Sequence, residues 1–102
     1  DKDEAAVLTG EFGWSDVGTL YALKEALAGS NSENLIKGKV FDLGSSDSLL
    51  YNTDGELLVT IGLKGFIVVR TPDATLVCPK DEVPTLKKVL KEMGKTALRK
   101  YL

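Results

Sequence analysis

Apolar residues in the first third of the chain recur at the spacing of a helix face. Between residues 17 and 27 they fall three or four positions apart, with several alanines among them, and this pattern favours an α-helix. Ser15 or Asp16 can cap the start of that helix, and Gly29 suits its end. The sequence therefore predicts a helix over residues 17–28, followed by a polar linker.

The middle of the chain predicts β-structure. Short apolar and β-branched runs are separated by turn residues about every ten positions. The run at residues 66–69 is apolar throughout, which predicts a strand buried on both faces, and Thr53-Asp54-Gly55 is a strong turn signal. No repeat of about six residues, or of about twenty to fifty, is visible from spacing alone. The predicted strands are residues 39–43, 48–52, 56–63, 66–70 and 74–78, with residues 5–8 as a further candidate.

The last third predicts an amphipathic helix. Its apolar residues fall at positions i, i+3, i+4 and i+7, and lysines occupy the opposite face. Asp81 suits the N-cap, Pro84 is tolerated in the first turn and Gly94 suits the end. Residues 96–102 add a last helical turn. The apolar stripe consists of Leu86, Val89, Leu90 and Met93.

Composition excludes several classes of protein. The chain has 102 residues, enough for one domain, and 43% of them are hydrophobic, which excludes a disordered or collagen-like chain. The formal net charge of −2 argues against nucleic-acid binding as the main function, because neutralising phosphates requires a basic surplus. The chain contains no His, which excludes imidazole-based catalysis and His-based zinc sites.

The remaining whole-chain features concern location. A single Cys excludes an internal disulfide and fits a reducing cytoplasm. No apolar run is long enough for a signal peptide or a membrane-spanning helix. The chain starts at Asp1 without a Met, and this start indicates a processed product or a piece of a longer protein.

The most conspicuous motif is the loop FGWSDVGT, residues 12–19, which leads into the first predicted helix. Its glycines let the backbone approach a ligand closely, and a loop carboxylate such as Asp16 can hold Mg²⁺ through oxygen when other ligands come from elsewhere. The same residues also have a structural interpretation, which spacing alone favours. In that interpretation Asp16 caps the helix and Trp14 anchors the core.

Other polar residues have mainly structural interpretations. Arg70 ends the most hydrophobic strand, where it can contact a ligand or an interface, or simply reach solvent. Cys78 lies in an apolar strand, which indicates a buried, inert thiol. The charged segment Lys80-Asp81-Glu82 and the lysines after it are expected to be solvated parts of the last helix.

Two segments resemble one enzyme family. The loop FGWSDVGT resembles the F-G-W-S-D-V-G-[ST] motif of mannose-1-phosphate guanylyltransferases. Residues 68–81 resemble that family's V-V-x-T-P-D-A-x-L-V-x-x-K segment. Both occur in the family's order and at about its distance, so the resemblance covers the chain from Leu8 to Met93.

The resemblance implies a fold and a division into domains. The implied fold class is α+β, mainly β: a short-stranded β unit like a left-handed β-helix, flanked by an N-terminal helix and a C-terminal amphipathic helix. Residues 1–34 would be the end of a nucleotidyltransferase catalytic domain. Residues 35–102 would be a small C-terminal β domain with its terminal helix.

The resemblance also implies an activity. The family transfers GMP from GTP to mannose 1-phosphate, with Mg²⁺, to give GDP-mannose and pyrophosphate. By position in the motif, Asp16 would be a metal ligand of the full-length enzyme, and Gly13 and Trp14 would shape the sugar side of its site. No nucleic acid or membrane partner is implied, and the expected location is cytoplasmic.

The family's Gly-rich phosphate signature and its E-K-P sugar-binding segment are absent from these residues. No complete catalytic set is present, so we expect the isolated chain to be inactive and to bind neither GTP nor Mg²⁺ tightly. Arg70 and Lys64-Gly65 depart from the family's pattern. A transferase for another sugar 1-phosphate, and a non-catalytic β module for assembly or regulation, both remain open.

Self-association is a further expectation. Leu20, Leu23 and Leu27 on the first helix would lack a partner unless the β unit covers them, and an exposed apolar stripe usually finds one. The apolar strand at residues 66–69 would add an open edge. The sequence therefore predicts a homodimer or higher oligomer, held partly by the helix over residues 17–28.

Overall fold

The computed structural model describes residues 13–27 and 33–102. Within these residues two α-helices flank six short strands, and single 3₁₀ turns precede or follow the helices. The predicted strand at residues 5–8 lies outside the described residues. The elements in chain order are a 3₁₀ turn (Trp14–Asp16), α1 (Val17–Leu27), β1 (Leu35–Lys37), β2 (Val40–Leu43), β3 (Leu49–Asn52), β4 (Leu58–Ile61), β5 (Phe66–Arg70), β6 (Thr75–Pro79), a 3₁₀ turn (Lys80–Glu82), α2 (Val83–Met93) and a 3₁₀ turn (Ala97–Tyr101).

The strands wind as successive coils of a β-helix. β1, β3 and β5 pair in parallel in one sheet, and β6 joins β5 antiparallel, giving the order β1-β3-β5-β6. β2 and β4 pair in parallel in a second sheet. Leu49 pairs with Ile67 and Val40 with Leu58, so each partner lies 18 residues further along the chain. The mainly β architecture is as expected, but the repeat escaped sequence analysis, and so did strand β1.

One corner distinguishes the first coil from the second. Lys37 pairs with Tyr51, and Val40 pairs with Leu58. The segment between Tyr51 and Leu58 is four residues longer than the segment between Lys37 and Val40, so the second coil has a four-residue insertion at this corner. The buried side chain of Asn52 organises this insertion. Its amide donates to the carbonyl oxygens of Lys39 and Glu56, at 2.8 Å each, and its carbonyl accepts from the Asp54 N–H at 2.9 Å. The predicted turn at residues 53–55 is therefore present, but it joins strands of two different sheets and closes no hairpin.

The core lies between the helices and one face of the four-stranded sheet. Alternate residues of each strand point to this face, and they meet Trp14, Val17 and Leu20 from the start of the chain and Leu86 from α2. The strand residues of this core are Leu49, Tyr51, Ile67 and Val69. Residues on both sides of the predicted boundary at position 34 therefore share one core, and the division into two domains stays a prediction.

The sheet is also buried on its second face. Leu50 and Val68 are 0% and 4% exposed, and they lie on the face opposite the helices. The prediction that residues 66–69 form a strand buried on both faces is thus confirmed for Ile67, Val68 and Val69. The expected open edge at this strand is wrong, because β5 lies between β3 and β6.

The apolar face of helix α1 packs against the β unit of the same chain. Val17 and Leu20 are buried and Leu23 packs against the same core, whereas Leu27 remains 63% exposed. The proposed reason for self-association through this helix is therefore wrong, since the β unit covers most of its apolar stripe. Self-association itself stays a prediction.

The second sheet carries a group of exposed apolar side chains. Phe41 pairs with Val59 and Leu43 with Ile61, and all four side chains are more than half exposed. We call these four residues the β2–β4 outer face. Between them Thr60 points inward, and its hydroxyl donates to the Asp42 carboxylate at 2.7 Å.

Helix α2 follows the predicted pattern closely. Leu86 is buried, Pro84 lies in the first turn and Gly94 occupies the C-cap. The N-cap position is Glu82 and not Asp81, because a 3₁₀ turn over Lys80–Glu82 delays the start of the helix. In the described part of the chain, no helix has the length and apolar character needed to cross a membrane.

The corner between β1 and β2 gives a direct test of the coil. Gly38 has φ +90°, and a Cβ there would lie 1.9 Å from the carbonyl oxygen of Asn52. We expect Gly38→Ala to lower the free energy of unfolding by about 3 kcal/mol, because backbone must move and φ is unfavourable. Urea denaturation measures this change.

Gly55→Ala is the matched control, since a Cβ at Gly55 meets nothing within 4 Å. We expect it to change the free energy of unfolding by less than about 1 kcal/mol, because it alters mainly the unfolded chain. Equal effects of the two substitutions would contradict the close approach of the coils at Gly38.

Candidate functional site

The predicted site loop is a closed 3₁₀ turn at the entrance to α1. The Gly13 N–H donates to Oδ2 of Asp16 at 3.0 Å, and the Asp16 N–H donates to the Gly13 carbonyl oxygen at 2.8 Å. The Asp16 carboxylate therefore accepts a hydrogen bond from the backbone N–H of the residue that precedes the turn. It does not act as the N-cap of α1 itself, which was its structural interpretation from sequence. These two bonds fix the carboxylate relative to the backbone of Gly13.

Trp14 anchors this loop. Its side chain is 9% exposed and belongs to the core beside Leu86, as the structural interpretation predicted. It borders an open groove of about 330 Å³, formed with Ser15, Gly18 and residues of α2. On another side it borders a polar depression of about 350 Å³ that includes Asp73. A third, apolar recess of about 90 Å³ also meets Trp14, so the loop borders three concave surfaces.

Asp16 supplies a single carboxylate to this loop. Among residues 13–27 and 33–102, no group of three or more Asp, Glu, Cys or His side chains is arranged to hold a metal ion. The described residues therefore do not fit a complete Mg²⁺ site, and Asp16 would contribute one ligand to a site completed from elsewhere. A Cβ added at Gly18 would lie 3.6 Å from the Val83 side chain, an ordinary van der Waals contact, so helix packing does not require glycine at this position.

A cluster of charges at the last turn of α1 was not predicted. The Lys24 side chain is fully buried, and its ammonium group pairs with Oδ1 of Asp47. Oδ2 of Asp47 pairs with the Lys80 ammonium group. Lys24 also lies 3.3 Å from Oε2 of Glu25 and 5.6 Å from the centre of the Tyr21 ring. A buried ammonium group requires such partners, because an unpaired charge in the interior is costly.

The carboxylate that pairs with both lysines belongs to a residue at a corner of the coil. Asp47 has φ +52°, a left-handed conformation that Asp tolerates better than most residues. Gly65, 18 residues later, has φ +67° at the equivalent corner of the next coil. The Lys80 side chain runs past Gly65, and the Lys80 N–H donates to the Gly65 carbonyl oxygen at 2.8 Å.

Three groups of the charge cluster have shifted pKa values: Asp47, Tyr21 and Lys80, whose pKa the hydrogen bond to Asp47 raises. Burial alone would raise the pKa of Asp47, but hydrogen bonds from Lys24 and Lys80 outweigh it and hold this pKa below the ordinary value. Burial and the hydrogen bond to Glu25 raise the pKa of Tyr21 to about 12. Asp47 is therefore ionised at neutral pH, and the Tyr21 hydroxyl keeps its proton.

The other sequence candidates take structural roles. The Arg70 guanidinium lies 3.1 Å from the Asp54 carboxylate and 3.4 Å from the Leu57 carbonyl oxygen. Arg70 therefore contacts both ends of the insertion in the second coil. Cys78 is half-buried, and burial, together with the charge of Glu82, raises the pKa of its thiol. This supports the interpretation of Cys78 as an inert thiol.

Comparison with known proteins gives a consistent result. Residues 38–93, more than half of the chain, match the family described as the MannoseP isomerase/GMP-like beta-helix domain. The mannose-1-phosphate guanylyltransferase of Escherichia coli K12 is 34% identical over 90 residues, which are 88% of this chain and 19% of that protein. The alginate biosynthesis protein AlgA of Pseudomonas putida is 34% identical over 101 residues, 96% of this chain and 21% of that protein.

A solved structure shares the fold. The crystal structure of mannose-1-phosphate geranyltransferase from Thermus thermophilus superposes with a TM-score of 0.63 and 30% sequence identity. The match covers 76% of this chain and 24% of that one. The chain thus spans about a fifth of the length of the curated relatives it matches.

The charge cluster predicts a stability difference between buried and exposed ion pairs. We expect Asp47→Asn to lower the free energy of unfolding at pH 7 by about 2–3 kcal/mol, because it leaves the buried Lys24 without its main counter-charge. Urea denaturation checks this value. Glu92→Gln is the control, since it breaks the exposed Lys95–Glu92 pair, and we expect it to cost less than about 0.5 kcal/mol. A similar small effect at both sites would contradict the role of Asp47.

The same substitution predicts a pH dependence. The folded-state pKa of Asp47 is depressed, so its contribution to stability is complete above the unfolded-state pKa, close to the ordinary value of 3.8. We expect the stability difference between the parent chain and Asp47→Asn to be constant above about pH 5. The difference should shrink as the pH falls through the folded-state pKa. Urea denaturation at intervals from neutral to acid pH measures it, and a difference that grows toward acid pH would contradict the ion pair.

Proposed function

This chain belongs to the MannoseP isomerase/GMP-like beta-helix domain family, and from that membership we propose that it is part of a mannose-1-phosphate guanylyltransferase. Such an enzyme transfers GMP from GTP to mannose 1-phosphate and releases GDP-mannose and pyrophosphate. Curated relatives that match most of this chain carry the same name. The FGWSDVGT loop lies outside the matched residues 38–93. The observation that carries the proposal is that two of its residues, Trp14 and Val17, pack into the core of the matched domain.

Within this proposal the loop residues have distinct tasks. Asp16 would direct a negative charge towards Mg²⁺, and its bond to the Gly13 N–H would hold the carboxylate in a fixed orientation. Gly13 and Trp14 would form one wall of the sugar side of the site. Trp14 suits this task because it is anchored in the core and borders all three concave surfaces.

The chemistry would need groups beyond these residues. Mg²⁺, when bound, would neutralise charge that develops on the transferring phosphoryl group. The described residues include no glycine-rich phosphate loop, and their site loop offers one carboxylate, so their part would be to orient and to exclude water. We therefore propose that the isolated chain is inactive and that GTP and mannose 1-phosphate are substrates of the longer enzyme.

Location and assembly complete the proposal. The single Cys and the biosynthetic relatives support a cytoplasmic location. A homodimer or higher oligomer also remains part of the proposal. Among the described residues, the β2–β4 outer face is one apolar surface that could support it, whereas α1 is largely covered.

The metal role of Asp16 gives a test in the longer enzyme. We expect Asp16→Asn to lower turnover about 100-fold, or roughly 3 kcal/mol of transition-state stabilisation, and to raise the Mg²⁺ concentration needed for half-maximal rate. The free energy of unfolding should change by less than about 1 kcal/mol, since the Asn oxygen can still accept from the Gly13 N–H. Initial rates over a Mg²⁺ titration, with urea denaturation, measure both quantities.

The control is Glu92→Gln, which changes an exposed carboxylate on α2 and should leave the Mg²⁺ dependence unchanged. Normal turnover of Asp16→Asn together with a large loss of stability would show that Asp16 serves only to close the turn.

A further inference from the structure

The Asp16 loop reaches the coiled sheet through α1. The helix starts at Val17, directly after Asp16, and its buried face carries Val17, Leu20 and Lys24 at spacings of three and four residues. The first two side chains supply apolar contact. Lys24 supplies the buried charge on this face, about 10 Å along the helix axis from Val17.

Apolar contacts and a buried charge constrain a helix differently. Valine and leucine side chains can repack after a small rotation or slide of the helix at modest cost. The Lys24 ammonium group is fully buried, so it is satisfied only where its acceptors lie. The position of Asp47 therefore selects one rotation of α1 about its axis and one position along it.

The Asp47 carboxylate is itself held firmly. Lys80 binds its second oxygen, and the Lys80 backbone is tied to the next coil through Gly65. The neighbouring Ser48 is fully buried, and its hydroxyl donates to the Ser46 carbonyl oxygen at 2.9 Å. The Ser48 N–H donates to the Asn34 side chain at 2.9 Å. Lys24 is thus fixed against a rigid corner of the coil.

We propose that Asp47 is a positioning residue for the Asp16 loop, acting through Lys24 and the orientation of α1. As a role in catalysis, this rests on the function proposed above. The coil domain would then do more than support the enzyme, because one of its corners would set where the Asp16 carboxylate points. Displacing a reacting group by about 1 Å can cost about 100-fold in rate.

The test removes the cluster without leaving a charge buried. In Lys24→Met/Asp47→Asn, the methionine keeps most of the side-chain volume, the asparagine tolerates the left-handed backbone, and Lys80 can turn to solvent. The exposed pair provides a matched control, Lys95→Met/Glu92→Gln. Trp14 is the only Trp in the chain, so its fluorescence and the tryptophan band of the near-ultraviolet circular dichroism report on the loop directly.

We expect the test variant to melt within about 5 °C of the parent chain, since apolar replacement of a buried pair is often close to neutral. Its folded state should show about twofold greater quenching of Trp14 by acrylamide and a weaker tryptophan band in the near-ultraviolet circular dichroism, because the loop is less fixed. The control variant should match the parent in both signals. In the longer enzyme, the test variant should lower kcat about tenfold or more with little change in the KM for GTP.

Unchanged Trp14 signals in the folded test variant would overturn the proposal. Loss of folding in both the double variant and Lys24→Met alone would also overturn it, because the cluster would then serve stability only. The Trp14 measurements need no substrate. If Asp16→Asn proves fully active, the proposed function of Asp16 fails while the effect of Asp47 on the loop can still be measured.

Discussion

Each coil of the β-helix turns through left-handed backbone at the same two places, and the rest of the structure is arranged around those corners. Gly44 and Gly62 share one corner, with φ +80° and +63°, and Asp47 and Gly65 share the other. Because the corners repeat every 18 residues, the strands stack in register and present one continuous sheet to the helices. A left-handed corner usually takes glycine. Asp47 adopts this less favourable backbone conformation, and its carboxylate contacts two lysines from that position.

The two helices cover that sheet by different means. α2 binds with an apolar face whose main buried residue is Leu86. α1 combines apolar contacts with a buried lysine, so its hold on the sheet is directional as well as hydrophobic. A directional contact matters most next to a site loop, where the orientation of one carboxylate decides whether it can serve a ligand. The charge cluster and the 3₁₀ turn of Asp16 therefore lie at the two ends of the same rigid element.

Sequence alone predicted the helices, the boundaries of β5 and the mainly β middle, because periodicity and β-branched runs are local signals. It could not predict how the strands pair, since Thr53-Asp54-Gly55 fits a hairpin as well as a coil corner. The spacing of Gly44 and Gly62 carried the missing information. Lys24 was visible as a charge in the apolar stripe of α1, yet its partner is 23 residues away and comes from tertiary structure. Trp14 was correctly placed in the core, whereas the functional roles of Asp16, Gly13 and Trp14 depend on groups outside the described residues.

The covering of one sheet by both ends of the described chain has a consequence for how the protein folds. Parallel pairings join residues only 14 to 18 positions apart, so each coil can form on its neighbour with a small loss of chain entropy. The contact between α2 and the turn at Trp14 joins segments about seventy residues apart and is entropically the most expensive to make. We therefore expect the coils to assemble first and the two helices to close over them last, with the tryptophan environment as the final feature to become native.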